Sequence, residues 1–283
     1  MSIRVGGGQA VVSDSSGSFE TNVNGPGTYE ALIQGAGIVD RDTTVTVPAS
    51  DARISLIPSS FDLTAFNELA RTNNSQLQRW VTQPALVVIG TVMQYSADVQ
   101  DGYTASGDTL TDAEVSSLTT QLTQGLSLLT AGTYASFSAT TVERPDPGTS
   151  VSIKRDGKIV VGRYTGISNG GDGVIGYGAW LEQPDGTVRA GVIYLDQAFD
   201  KTDNRRQLLR YHELGHALGY EHVTSRTSIM NPELGPDPTD FDRQAVAVVF
   251  QRPPGNRAPD RDPTPVSTYK SIGPGSHWAA PVR

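Results

Sequence analysis

The stretch HELGHALGYEH, residues 212–222, constrains the fold more than any other part of this 283-residue chain. It holds three of only four histidines, with a glutamate directly after the first. In an α-helix each residue advances about 100°, so His212 and His216 lie about 40° apart on one face, roughly one turn apart along the axis. Gly219 stops such a helix, because glycine enters the left-handed region without steric cost. A sharp turn there brings His222 back beside the other two. Two explanations compete. One is an amphipathic helix whose histidines merely share a face. The other is a tetrahedral site with three neutral nitrogen ligands and one open position, the arrangement of a catalytic rather than a structural zinc. The third histidine and the glycine both stand at the offsets that the second explanation needs.

Glu213 completes that chemistry. Beside a ligand, it can accept a proton from water and later deliver it to a leaving amine, so no nucleophilic side chain is required. The candidate set is therefore one catalytic Zn(2+) held by His212, His216 and His222, with Glu213 as general base.

The rest of the chain reads as a β-module, a mixed body and a tail. In residues 1–57, TYEALIQ and DTTVTVP are short β-prone runs separated by the turn chemistry of NGPGT and QGAG. Val45 and Val47 alternate with threonines, as in a half-buried strand. The period changes near Pro58. In SSFDLTAFNELARTNN, Leu63, Phe66 and Ala70 share a helical face, with Ser60 or Asp62 as N-cap. PALVVIGTV reads as a buried strand. In the clearest helix, Thr111 and Glu114 form a capping box. Val115, Leu118, Leu122, Leu126 and Leu129 recur at threes and fours, and Gly132 is the stop.

Strands return in SVSIKRDGKIVVGRY, with RDGK as a hairpin signal, and in GVIGYGAWLEQPDGTVRAGVIYLDQ, with PDG as the next turn. The histidine helix opens near DKTDNRRQ, capped by Asp203 or Asn204, and runs through Leu218. This order predicts an α+β domain over residues 58–252, with a mixed sheet, a long helix and the histidine helix. It forms its own core, so removing residues 1–57 is expected to leave it folded. Residues 253–283 are rich in Pro, Arg and Asp without an apolar period, and read as an extended tail.

Composition excludes several classes. There is no cysteine, hence no disulfide, thiolate zinc site or cysteine nucleophile. A net charge of -8 without long acidic runs argues against nonspecific binding to nucleic acid or anionic membrane. No stretch approaches the length of a membrane span. MSIRVGGGQAVV lacks the apolar core of a leader peptide, which leaves a cytosolic location or a leader already removed.

The full pattern H-E-x-x-H-x-x-G-x-x-H, followed by SIMNP with Met230 eight residues after His222, resembles the metzincin metallopeptidases, within them the matrixin-like bacterial branch. The likeness covers about residues 59–252. It implies a secreted or cell-surface zinc endopeptidase, expected to be a monomer acting on protein or peptide substrates. Met230 would form a hydrophobic floor beneath the metal without ligating it. GVIGYGAW resembles the edge strand that binds substrate backbone, which assigns Gly176, Tyr177, Gly178 and Ala179. AGVIYLD, ending in Asp196, resembles the strand before the active helix. DPTDFDRQAVAVVF, carrying Asp240 and Asp242, resembles the C-terminal helix behind the Met-turn. The specificity pocket is expected near Asn231, Pro232 and Glu233, with Tyr211 and Leu209 contributing.

Val223 stands where mammalian matrixins usually carry serine. No tyrosine two residues beyond the methionine supplies the fifth ligand of astacins and serralysins. The histidines of a second, structural zinc are missing, His277 in the tail being the only other one. At SNGGDG, Asp172 and backbone carbonyls could supply oxygen ligands to Ca(2+), a plain glycine-rich turn being the alternative. DSSGSFETNVNGPGTYEALIQGAG resembles the small β-sandwich modules of the carboxypeptidase-regulatory or transthyretin-like kind. Two further readings stay open: a surface-binding or adhesion protein acting through this module, and a metal-dependent hydrolase of non-peptide substrates.

Overall fold

Apolar residues at every second position bring the first strands together, in the computed structural model, into a four-stranded antiparallel sheet. The structure describes residues 1–49, 52–71, 75–95, 102–167, 173–263 and 275–278. The strands are β1 (Ser2–Val5), β2 (Val11–Val12), β3 (Gly27–Gln34) and β4 (Arg41–Val47), in the order β2-β1-β3-β4. Ile3, Val5, Ala31 and Ile33 are buried on one face. Among the described residues no second sheet covers that face, so the expected sandwich is a single sheet. Phe19, Val23, Ile54 and Leu56 pack there instead. Phe19 and Val23 come from a segment dense in Ser, Gly and Asn, which favour turns over ladders.

The body begins with α1 (Leu63–Ala70), capped by Asp62, whose side chain accepts from the Ala65 amide. The strands that follow are β5 (Arg79–Trp80), β6 (Ala85–Gln94) and β7 (Gly102–Thr109). Helix α2 (Asp112–Leu129) has the expected capping box, and Gly132 adopts φ 75° just beyond its end. Next come β8 (Thr140–Glu143), β9 (Ser150–Ser152), β10 (Lys158–Thr165), β11 (Gly176–Glu182) and β12 (Thr187–Asp196). Helices α3 (Gln197–Thr202), α4 (Arg206–Ala217) and α5 (Asp240–Phe250) precede a last strand, β13 (Gly275–Trp278). The nine-stranded sheet runs β13-β11-β12-β10-β6-β7-β9, with β5 on β12 and β8 on β6.

Strands β6, β10 and β12 are mutually parallel and buried on both faces, hence their unbroken apolar runs. One face packs against α1, α2, α4 and α5. The other carries Tyr103, Tyr164 and Tyr194, with ring centroids 4.7–5.3 Å apart in edge-to-face contact. The molecule is thus mixed α and β, with a small antiparallel sheet and a larger mixed one. Among the described residues, no helix is long and apolar enough to cross a membrane.

Three further expectations change. RDGK turns the chain at Gly157, but the strands on either side do not pair: β9 joins β7, while β10 lies between β6 and β12. A strand buried on both faces belongs inside the sheet, and its flanks are taken by parallel partners. The histidine helix starts at Arg206, not at an Asp203 or Asn204 cap, because α3 intervenes and Asp203 ends it.

The tail is the third change, since residues 253–262 are folded into the molecule. Arg252 and Asp260, both fully buried, form two hydrogen bonds of 2.7 Å. Arg41 of β4 reaches Asp260 at 3.2 Å and Asp262 at 2.9 Å. Backbone bonds tie Asp42 to Asp260 and Asp262, and Leu77 to Gly255 and Asn256. The charges that made this stretch look solvated pair with one another instead. They clamp the small sheet to the body.

Candidate metal centre

Helix α4 lies across β11 and β12 because glycines on the sheet let it come close. A Cβ on Gly178 would sit 2.5 Å from the His216 Cβ and 2.6 Å from the Glu213 carbonyl oxygen. One on Gly176 would sit 2.5 Å from Glu213 Oε1. Within the helix, a side chain at Gly215 would collide with the Met230 sulfur. Glycine is poor in a helix interior, so its presence between two histidines marks a close approach from outside.

The helix ends as the sequence requires. Gly219 has φ 103°, its amide donates to the His216 carbonyl (2.9 Å), and the Tyr220 amide donates to the Gly215 carbonyl (3.0 Å). These are the two bonds of a Schellman motif. The turn aims the Tyr220 carbonyl at His216 Nδ1, 2.6 Å away, while the Ile229 carbonyl lies 2.8 Å from His212 Nδ1. A carbonyl only accepts, so both Nδ1 atoms carry the proton and both Nε2 atoms present lone pairs.

Those lone pairs converge with the third histidine. The Nε2 atoms of His212, His216 and His222 are 3.0, 3.2 and 3.2 Å apart. A tetrahedral zinc about 2.0–2.1 Å from each nitrogen needs them about 3.3–3.4 Å apart. The donor set therefore fits a zinc-sized ion within a few tenths of an ångström. Bringing nitrogen lone pairs together without a cation is repulsive, which is a second reason to regard the cluster as a metal site.

Protonation states agree with that role. Burial holds the His212 imidazole down to about 3, with the neighbouring His222 adding to the effect. Burial likewise holds His222 down to about 4 and pushes His216 well below the usual histidine value. The three imidazoles are neutral at ordinary pH, as metal ligation would require. Glu213 is completely buried, neither carboxylate oxygen has a hydrogen-bond partner, and burial pushes its carboxyl well above the usual range. A buried carboxylate left without partners is costly, and such sites are where proton-transfer groups are found.

Met230 is buried in the turn beneath α4. The turn is braced by Asp242, which accepts from the Ser228 hydroxyl (2.5 Å) and the Ile229 amide (3.1 Å). Asn231 donates from its side chain to the carbonyls of Val223 and Arg226. Its amide is thus spent on the turn, and Asn231 does not present a specificity group. Tyr211 also departs from expectation. It points at α2, where a Cβ on Gly125 would meet its ring at 2.8 Å, and its hydroxyl accepts from Gln207 (2.7 Å). One residue before His212 means about 100° around the helix, away from the histidine cluster. Pro232 and Glu233 are exposed, whereas Leu209 and Val223 are core.

Gly176 and Gly178 lie over Glu213 and His216, and Tyr177 and Ala179 alternate to the tyrosine-rich face. The edge of β11 is not free along its length, since β13 pairs with it from Ala179 to Glu182. Asp172 of the calcium candidate lies outside the described residues.

Sequence reasoning missed what anchors α4 from below. Fully buried Asp200 of α3 receives Arg210 of α4 at 2.6 and 2.8 Å and Arg163 of β10 at 2.7 Å. Three charges on three elements carry no local periodicity, so only their charge type hinted at pairing.

No protein-family model and no curated protein matches the chain. The functional reading therefore rests on the site itself.

Proposed function

We propose that this protein is a secreted zinc-dependent endopeptidase of the metzincin type. The observation that carries the reading is the convergence of three imidazole Nε2 atoms beside a buried carboxylate with no partner of its own. The antiparallel strand β11 next to the parallel strands, the histidine helix after β12 and the buried methionine beneath it support the same reading.

His212, His216 and His222 would hold the ion. Zinc, when bound, supplies Lewis-acid polarisation of a scissile carbonyl and of water. The carbonyls of Ile229 and Tyr220 keep the Nδ1 protons in place, so the ligand nitrogens stay aimed inward. Glu213 takes a proton from water at a carboxylate oxygen and passes it to the departing amine nitrogen. Its raised proton affinity, set by burial, suits a group that must hold the proton between those events.

The test pairs metal analysis with hydrolysis of dye-labelled casein. The purified chain should bind one zinc and cut casein, while Glu213→Gln should bind zinc and lose cleavage by about 10²–10⁴-fold. Equal cleavage by the two proteins would sink the assignment of Glu213. Zinc-loaded protein that cuts nothing would sink the peptidase reading.

A further inference from the structure

We propose that the outer edge of β11 is a peptide-binding edge that the chain's own C-terminal strand, β13, occupies in competition with an added extended peptide. The statement rests on the peptidase reading for the identity of that peptide as substrate. Strand β13 pairs antiparallel with β11 in the register Glu182 with Gly275, Leu181 with Ser276, Trp180 with His277 and Ala179 with Trp278. Its chain direction therefore runs from Glu182 towards Ala179, the end of β11 that continues into Gly178 and Gly176. Those two glycines lie directly over His216 and Glu213. The occupant thus approaches the metal centre end-on along the edge.

A sheet edge offers one row of N–H and C=O groups, and a second strand can use them only after the first leaves. Recognition along such an edge is made by the main chain and tolerates many sequences. A peptide that adds to β11 over Ala179–Glu182 and β13 are mutually exclusive for that reason.

The attachment of β13 suits displacement. It is four residues long and terminates the sheet, with β11 as its ladder partner. By contrast, the chain just before residues 264–274 is anchored by the buried Arg252–Asp260 pair. Chain connection sets the local concentration of such a segment at about the millimolar level. Peptidase KM values run from about 1 μM to 1 mM, so a weakly held strand suffices to screen out weak peptides and yields to tight ones.

The test compares the full chain with the full-length double variant Ser276→Pro/His277→Pro. Proline lacks the N–H, and adjacent prolines remove whichever of the two donors faces β11. Amide hydrogen exchange within Ala179–Glu182 should accelerate at least tenfold in the variant. A synthetic peptide of residues 270–283 should restore protection there. With dye-labelled casein, kcat/KM should rise about tenfold, mainly through KM, and the synthetic peptide should inhibit competitively. Unchanged exchange across Ala179–Glu182 overturns the proposal whether or not casein is cut. Faster exchange with unchanged kcat/KM also overturns it. Faster exchange, restored by the peptide, in a protein that never cuts casein supports the competition and removes only the peptidase reading.

Discussion

Glu213 is held in a position that folding alone would not favour. Its carboxyl is pushed up by burial, so between the usual carboxylate pKa and its folded value the native state binds more protons than the unfolded chain. Stability therefore falls as pH rises through that window. Glu213→Gln removes the titration and should raise the melting temperature of metal-free protein at pH 7. Calorimetry of wild type and variant reads this directly, and a lower melting temperature in the variant contradicts it.

The histidines have the opposite sign. Their folded pKa values are depressed, so below the ordinary value of 6.5 the unfolded chain takes up more protons. Metal-free protein should lose stability as pH falls from about 6.5 towards 4. Urea titrations across that range should show a shallower loss for His222→Gln. The grouping of these histidines was legible in the sequence, because spacing on a helix and across its terminal turn is a local property. The unsatisfied state of Glu213 was not, since burial is set by β11 from elsewhere in the chain.

At the scale of elements, α4 is placed by two devices, close approach above and charge pairing below. Gly178→Ala would put a methyl group against His216 and the Glu213 carbonyl, and neither is a flexible side-chain end. The expected cost is about 1–3 kcal/mol of stability together with weaker zinc binding, checked by denaturation and metal competition. Undiminished zinc affinity would show that the helix can back away from the strand.

Below α4, Asp200→Ala leaves Arg163 and Arg210 buried without their shared partner. Breaking such a pair costs about 3–5 kcal/mol, readable by urea unfolding. A loss under about 1 kcal/mol would mean that water reaches both guanidinium groups. Helices α1 and α2 were legible from caps and apolar periods, and α5 from its resemblance to a known helix. Helix α3 was not, because six residues are too few to establish a period. The glycines of β11 were visible as letters, and their purpose depends on which helix crosses them.

Across the whole molecule, the buried cluster of Arg41, Arg252, Asn256, Asp260 and Asp262 makes the small sheet and the body one unit. Asp260→Ala should cost about 3–5 kcal/mol, because Arg252 is then buried without a counter-charge. Removal of residues 1–57 should leave a body that folds with reduced stability. Arg41 would be gone, while Arg252 and Asp260 would keep each other. Separate unfolding of the two parts in the intact chain, seen as two calorimetric transitions, would contradict this coupling.

The sequence by itself determined the grouping of three histidines with Glu213 beside them, the helix stop at Gly219 and the apolar strands. Each depends on spacings of a few residues that backbone geometry converts directly into direction. The tertiary structure decided which carbonyls orient the histidines, which glycines clear space for Glu213 and His216, and which strand covers β11. It also turned an apparent tail into a buried clasp. Those outcomes depend on residues brought together from distant parts of the chain, where a charge or a glycine has no meaning until its neighbour is known.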